Sequence, residues 1–207
     1  MEYPADNNAR SLTPEEIAGF RKAVYSNYRK NRRRFPWRET TDPYCILVSE
    51  VMLQQTGVER VMVHYPPFIS SFPGFSSLAE APLTDVLRAW KGLGYNRRAL
   101  NLHKTARIVT GEYGGRLPAG EEALLSLPGI GRATAGAIGA FAYNRPSVFV
   151  ETNIRRLFLH WLFPSGEGIP DSEILPLVRA TLDRENPRDW YYALMDFGYQ
   201  LRSVVPD

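Results

Sequence analysis

The stretch LPGIGRATAGAI, residues 127–138, constrains the fold of this chain more than any other. Gly129 and Gly131 stand two apart, between the apolar end of one segment and the start of the next. Glycine permits a tight turn and lets another backbone approach closely. The stretch therefore predicts two short helices joined at PGIG. A helix that begins just after such a turn leaves its first amides without intrahelical partners, and those amides bind anions such as phosphate. Arg132 adds a cation at the same place. Taken alone, PGIG also reads as an ordinary helix–helix turn.

Helical periodicity dominates the rest. Thr13 is placed to cap a helix running to Lys30, because TPEE puts proline at the first helical position and acids in the first turn. FPWRETTDP reads as a loop. A helix from Tyr44 to Thr56 follows, with Gly57 as its stop. Pro66-Pro67, Pro73-Gly74 and Pro82 break the next region into short segments. PLTDVLRAWKGLG reads as a helix ending in a glycine turn. Residues 95–112 form an amphipathic helix with Leu102, Ala106 and Val109 on one side, and GGRLP is a turn. Further helices fit 153–163, 172–184 and 189–202. SVFVE, 147–151, is the single β-like run, and one such run among about ten helices predicts an all-α fold.

Composition excludes several classes. At 207 residues the chain is long enough for a real core, and 44% hydrophobic with 23% charged residues suits a globular protein. Its net charge is only +3, but the cations are 21 arginines against 4 lysines, and arginine is suited to forked phosphate contacts. The run RKNRRR, 29–34, reads equally as a solvated helix end or a nucleic-acid contact. One cysteine, Cys45, rules out an internal disulfide, and the scattered His64, His103 and His160 give no metal-site spacing. The N-terminal MEYPADNNARSLTPEE has no signal-peptide core, and no apolar run nears the roughly 20 residues of a membrane span. The expectation is a soluble cytoplasmic protein without a membrane partner, nucleoid-associated in a prokaryote.

SEVMLQQTG, 49–57, poses a chemical question. On an ideal helix Glu50 shares a face with Ile46, Leu47, Leu53 and Gln54. Apolar surroundings disfavour the ionised carboxylate, raise its pKa and suit it to act as a general acid. A carboxylate paired with an arginine, or one pointing to solvent at the apolar edge, fits the same pattern. Gln54 and Gln55 read by themselves as a polar helix end.

LPGIGRATAGAI resembles the helix-hairpin-helix of the endonuclease III superfamily of DNA glycosylases. SEVMLQQTGVERV, WKGLGYNRRALNLHKTARIV and GGRLP resemble the MutY family, adenine glycosylases acting at mispairs with guanine or 8-oxoguanine. The resemblance runs in order from Phe35 to Gly198. It implies a helix-hairpin-helix glycosylase fold of two helical subdomains, 36–145 and 1–35 plus 146–207, with a DNA-binding cleft between them. It makes Glu50 the acid that protonates the departing base. Gln55 becomes the residue inserted beside the flipped nucleotide, with Gln54 near the pocket and Tyr95 at the same DNA surface. The backbone of Gly129, Ile130 and Gly131, with Arg132, would hold a phosphate, and the hairpin carbonyls a monovalent cation. Trp37, Arg38 and Tyr192 match the base pocket, although Trp37 also reads as a core aromatic after a proline.

Departures from the pattern carry information too. The superfamily places an aspartate after the hairpin to stabilise charge on the sugar, whereas VFVETNIRR has Glu151 there, one methylene longer and a poorer helix cap. Bifunctional members carry a lysine nucleophile where this chain has Ala133, which implies a monofunctional enzyme. The family's four cluster cysteines are missing, as is its 8-oxoguanine-reading domain, so no iron–sulfur cofactor is expected. Tyr192 replaces a polar pocket residue and Asn96 a second tyrosine. The resulting expectation is a monomeric adenine-type glycosylase of base excision repair, acting on duplex DNA with a mismatch or lesion. The alternatives are a glycosylase for thymine or uracil opposite guanine or another damaged base, a lesion-binding protein without activity, and a helical scaffold that never touches DNA.

Overall fold

The chain enters its first helix through Thr13, and the cap is reciprocal. In a computed structural model describing residues 11–163 and 168–203, Thr13 Oγ1 accepts from the Glu16 amide at 3.2 Å and Glu16 Oε2 accepts from the Thr13 amide at 2.8 Å. This capping box satisfies two amides that the helix leaves unpaired. Helix α1 (Pro14–Asn31) buries Phe20, Val24 and Tyr28, spaced four apart on one stripe. It ends within the basic run, so Arg29 and Lys30 face the negative end of its dipole.

Seven helices follow: α2 (Pro43–Leu53), α3 (Val58–Ser71), α4 (Phe75–Glu80), α5 (Leu83–Ala89), α6 (Arg97–Glu112), α7 (Glu121–Leu125) and α8 (Arg132–Tyr143). Then come α9 (Thr152–Leu162), α10 (Asp171–Thr181) and α11 (Pro187–Gln200). The described residues contain no strand, so the fold is all-α. The chain divides into two compact units, Arg34–Tyr143 and Met1–Arg33 with Asn144–Asp207, where the sequence placed boundaries at 36 and 145. No helix among the described residues is long and apolar enough to cross a membrane.

Within the unit Arg34–Tyr143, α2 packs against α3, α6 and α8 and is buried on nearly every side. Leu102, Ala106 and Val109 of α6 all turn inward, as their spacing requires. Within the other unit, α11 packs on α1 and α9. Gly198 of α11 lies so close to α9 that an added Cβ would sit 1.9 Å from the Asn153 carbonyl oxygen. Arg33 joins the start of that unit to its end: its Nε lies 2.7 Å from Oδ1 of the fully buried Asp196.

Several expectations fail, each for a physical reason. Pro66-Pro67 does not break the chain: α3 runs through both prolines. The carbonyls left without donors are those of Met62 and Val63, on an exposed face where water can take them. Val61, Tyr65 and Phe68 anchor the opposite face. Gly57 is not the stop of α2; that helix ends at Leu53, and Gly57 caps α3. The segment 35–43, read as a loop, contains a 3₁₀ turn at Pro36–Arg38, and α8 is a full 12-residue helix. SVFVE forms no strand. Its backbone pairs instead with a side chain: Tyr191 Oη donates to the Ser147 carbonyl at 2.7 Å and accepts from the Phe149 amide at 3.4 Å. The Phe149 ring stacks on Tyr191 at 4.1 Å.

Candidate functional site

In the unit Arg34–Tyr143 the site is built on α2. Asp42 caps that helix, its Oδ1 accepting from the Tyr44 amide at 2.8 Å. Tyr44, Ile46, Leu47, Val48, Ser49, Val51 and Met52 are all buried, and the Ser49 hydroxyl is satisfied by the Ile46 carbonyl at 2.8 Å. Glu50 is half-buried on a strip shared with Pro43, Leu53 and Gln54. The helix is therefore apolar around most of its girth, and Glu50 stands where its packing opens.

Beyond α2 the chain turns sharply. Gln55 adopts φ 54° and is exposed; Tyr95 adopts φ 47° and is 63% exposed. Left-handed backbone costs a non-glycine residue on the order of 1 kcal/mol or more. A single buried side chain holds both turns. Arg98, at the start of α6, donates from Nη1 to the carbonyls of Val51 (2.9 Å), Met52 (2.7 Å) and Gln54 (2.5 Å). From Nη2 it donates to Thr56 Oγ1 (2.9 Å) and the carbonyls of Leu93 and Gly94 (3.1 Å each). The peptides preceding Gln55 and Tyr95 thus accept from one guanidinium. Its positive charge also faces the carbonyl end of α2. Burial pulls the Arg98 pKa below the ordinary arginine value.

Gln54 reaches the hairpin, with Nε2 at 3.2 Å from Thr134 Oγ1 and 3.4 Å from the Gly129 carbonyl. Gly129 adopts φ 79°, and a Cβ there would lie 2.8 Å from Asn101 Nδ2. Both the turn and the close neighbour therefore demand glycine. Ile130 is a core side chain, 6% exposed, so the hairpin can offer a ligand its backbone but not that side chain. Arg132 and Ala133 are exposed in the first turn of α8. The Leu127, Pro128 and Gly129 carbonyls accept from the Ile130 amide, Thr105 and Gln54, so a cation at this loop would share them with those donors.

The other unit holds Glu151. The sequence marks it as a poor cap, yet its side chain still caps α9. Oε1 accepts from the Ile154 amide at 2.8 Å, and Oε2 accepts from Asn153 Nδ2 at 3.0 Å. Arg156 donates to Asn153 Oδ1 at 3.0 Å and to the Gly198 carbonyl at 3.4 Å, which fixes this turn against α11. Burial raises the Glu151 pKa, against the pull of its bonds from Asn153 and Ile154 and of the Arg156 charge.

The three base-pocket candidates are interior residues. Trp37, 4% exposed, stacks on Phe35 at 5.1 Å and meets Tyr65 edge-on at 5.4 Å. Arg38, also in the interior, lies over the Phe35 ring, and Tyr192 is buried in α11. Sequence reading missed Arg98 altogether. The signal was present: Arg98 lies four residues before Leu102, on the stripe that Leu102, Ala106 and Val109 define.

Residues 48–175 match the family described as HhH-GPD superfamily base excision DNA repair protein. An adenine DNA glycosylase of Buchnera aphidicola subsp. Baizongia pistaciae is 41% identical over 81% of this chain and 48% of its own length. A thymine/uracil-DNA glycosylase of Methanothermobacter thermautotrophicus is 31% identical over 86% of this chain and 82% of its own length. The solved structure of a thermostable thymine-DNA glycosylase superimposes with a TM-score of 0.81 at 29% identity, covering 91% of this chain and 88% of that one. The chain spans about half the length of the adenine-glycosylase relatives it matches first.

Two outcomes follow from this geometry. Arg98→Lys keeps the charge but loses the fork, and should lower stability by about 2–4 kcal/mol in urea denaturation, with Thr56→Val costing about 1 kcal/mol. A loss below about 0.5 kcal/mol for Arg98→Lys would contradict the clasp. For Glu151 the raised native pKa means that the folded state binds the proton more tightly. Its contribution is therefore greatest at low pH and declines as pH rises through the native pKa. Wild type should gain stability relative to Glu151→Gln as pH falls from about 7 to about 4. A pH-independent difference between the two proteins would be the wrong outcome.

Proposed function

We propose that this chain, which belongs to the HhH-GPD superfamily of base excision DNA repair proteins, is a monofunctional DNA glycosylase that removes adenine mispaired with guanine or 8-oxoguanine. The observation that carries this reading is the end of α2. Glu50 stands half-buried about one turn before the exposed Gln55, and Arg98 ties the Gln55 turn to that of Tyr95. The 41% identity with an adenine DNA glycosylase supports adenine as the base.

A base within a duplex must leave the stack before chemistry can reach it. Gln55 and Tyr95, projecting from turns that cannot relax independently, suit the task of filling the space it vacates. The hairpin backbone at Gly129, Ile130 and Gly131, with Arg132, would hold a phosphate of the same DNA. Glu50 donates a proton to a ring nitrogen of the extruded adenine. The bond from C1′ to N9 then breaks, and its electron pair leaves with the base. By its match to the family aspartate, Glu151 stabilises the positive charge on the sugar. Water adds to C1′, and its surplus proton returns to Glu50. Ala133 offers no amine for a Schiff base, so the product is an intact abasic strand. The sequence has one cysteine, Cys45 in α2, so its own residues cannot assemble a four-thiolate cluster.

A second reading has its own support. The thymine/uracil relative is matched along most of its length, and the thymine-DNA glycosylase structure superimposes closely. Removal of thymine or uracil opposite guanine uses the same DNA surface with a different pocket.

Glu50→Gln should slow single-turnover release of adenine by at least about 100-fold while leaving duplex affinity within about twofold. Equal rates for the two proteins would remove Glu50 from the chemistry. Binding by both without release by either would leave a lesion-binding protein.

A further inference from the structure

We infer that a cationic groove beside Tyr95, distinct from the hairpin, is a second seat for a DNA backbone phosphate; the inference rests on the reading of the chain as acting on DNA. The groove lies within the unit Arg34–Tyr143 and is open to solvent. Arg60 of α3, Thr84 and Arg88 of α5, and Lys91, Gly94 and Asn96 of the loop leading into α6 stand around it. Three cations from three elements converge there, and no carboxylate is among the described residues that line it.

The convergence has a structural cause. Gly92 adopts φ 103°, and a Cβ at that position would lie 2.8 Å from His64 Cε1. The absence of a side chain at residue 92 lets α3 press its His64 ring against the loop. Arg60 lies one turn before His64, on the same helical face, and is carried to the same loop as Lys91. Nearby acids do little to offset the charge. Asp85 accepts from Arg88 Nη1 at 2.9 Å, but both side chains are largely exposed, and such surface pairs are weak. Glu59 turns back toward its own helix start, with Oε2 3.4 Å from where a Cβ on Gly57 would sit. Like charges gathered in one groove repel, and an anion relieves the repulsion.

The groove is open, with Leu87 among its lining residues, and no aromatic ring lines it on which a nucleobase could stack. Its contents suit a phosphate diester: two arginine forks, an ammonium, and the Thr84 and Asn96 side chains. Gly94 and Asn96 flank Tyr95, so a strand parted at Tyr95 would run its phosphates past these cations.

The test is the salt dependence of duplex binding by the full chain and by Arg60→Gln, Lys91→Gln and the double variant. Lys22→Gln on α1 combined with Arg179→Gln on α10, both exposed, serves as a charge-matched control. Each phosphate contact contributes about −0.9 to the slope of log K against log salt. The double variant should flatten the slope by about 1 and weaken binding on the order of 10-fold at low salt, equally for matched and mismatched duplexes. The control should keep the wild-type slope. An unchanged slope in the double variant, or an equal change in the control, overturns the groove assignment. Displacement of DNA by adenosine monophosphate in the wild type but not in the double variant would give the groove to a free nucleotide and also overturn it. A wild-type chain that binds no DNA overturns the underlying reading, and the groove with it.

Discussion

The unit Arg34–Tyr143 depends on one buried cation. Arg98 sits at the start of α6 and spends its guanidinium on the end of α2 and on the loop before Tyr95. Without those bonds, at least five carbonyls would lose a donor, and two turns held in left-handed backbone would lose the bonds that offset their cost. Arginine is suited to this because its planar fork presents donors in several directions at once, and a lysine ammonium cannot span the same set. Gln55 and Tyr95 thus owe their placement to a side chain that need touch no substrate.

The two carboxylates solve the problem of partial burial differently. Glu50 is set in a helix whose neighbours are almost all apolar, at the point where the packing opens. Glu151 is set in polar geometry, with both oxygens used at the start of α9 and the adjoining Asn153 held by Arg156. The close approach of Gly198 to Asn153 fixes that turn against α11. Substituting glutamate for aspartate would ordinarily weaken a cap, yet here the longer side chain still reaches the Ile154 amide.

Much of this was legible in the chain. The all-α class, the Thr13 cap, the inner stripe of α6 and the glycine turn at 129 follow from local rules, and the structure obeys them. What escaped was decided by partners distant in sequence. Two prolines stay helical because the opposite face of α3 is anchored and their orphaned carbonyls face water. SVFVE finds the Tyr191 hydroxyl instead of a strand. Arg98 reads as one more cation on an arginine-rich chain until its acceptors, from Val51 to Thr56 and at Leu93 and Gly94, are brought around it. At the site, the roles of the carboxylates and glutamines came from the family resemblance; the sequence offered a core reading for Trp37, and gave no sign that Arg38 and Tyr192 are buried.

The most direct measurement is a single-turnover assay across duplexes carrying adenine opposite guanine, adenine opposite 8-oxoguanine, thymine or uracil opposite guanine, and hypoxanthine, each split with and without alkali. The account predicts strand scission at adenine that appears only after alkali, the mark of base removal without lyase chemistry. Scission confined to thymine or uracil would move the activity to the second substrate class. Intact strands throughout, despite tight mismatch binding, would contradict a catalytic role altogether.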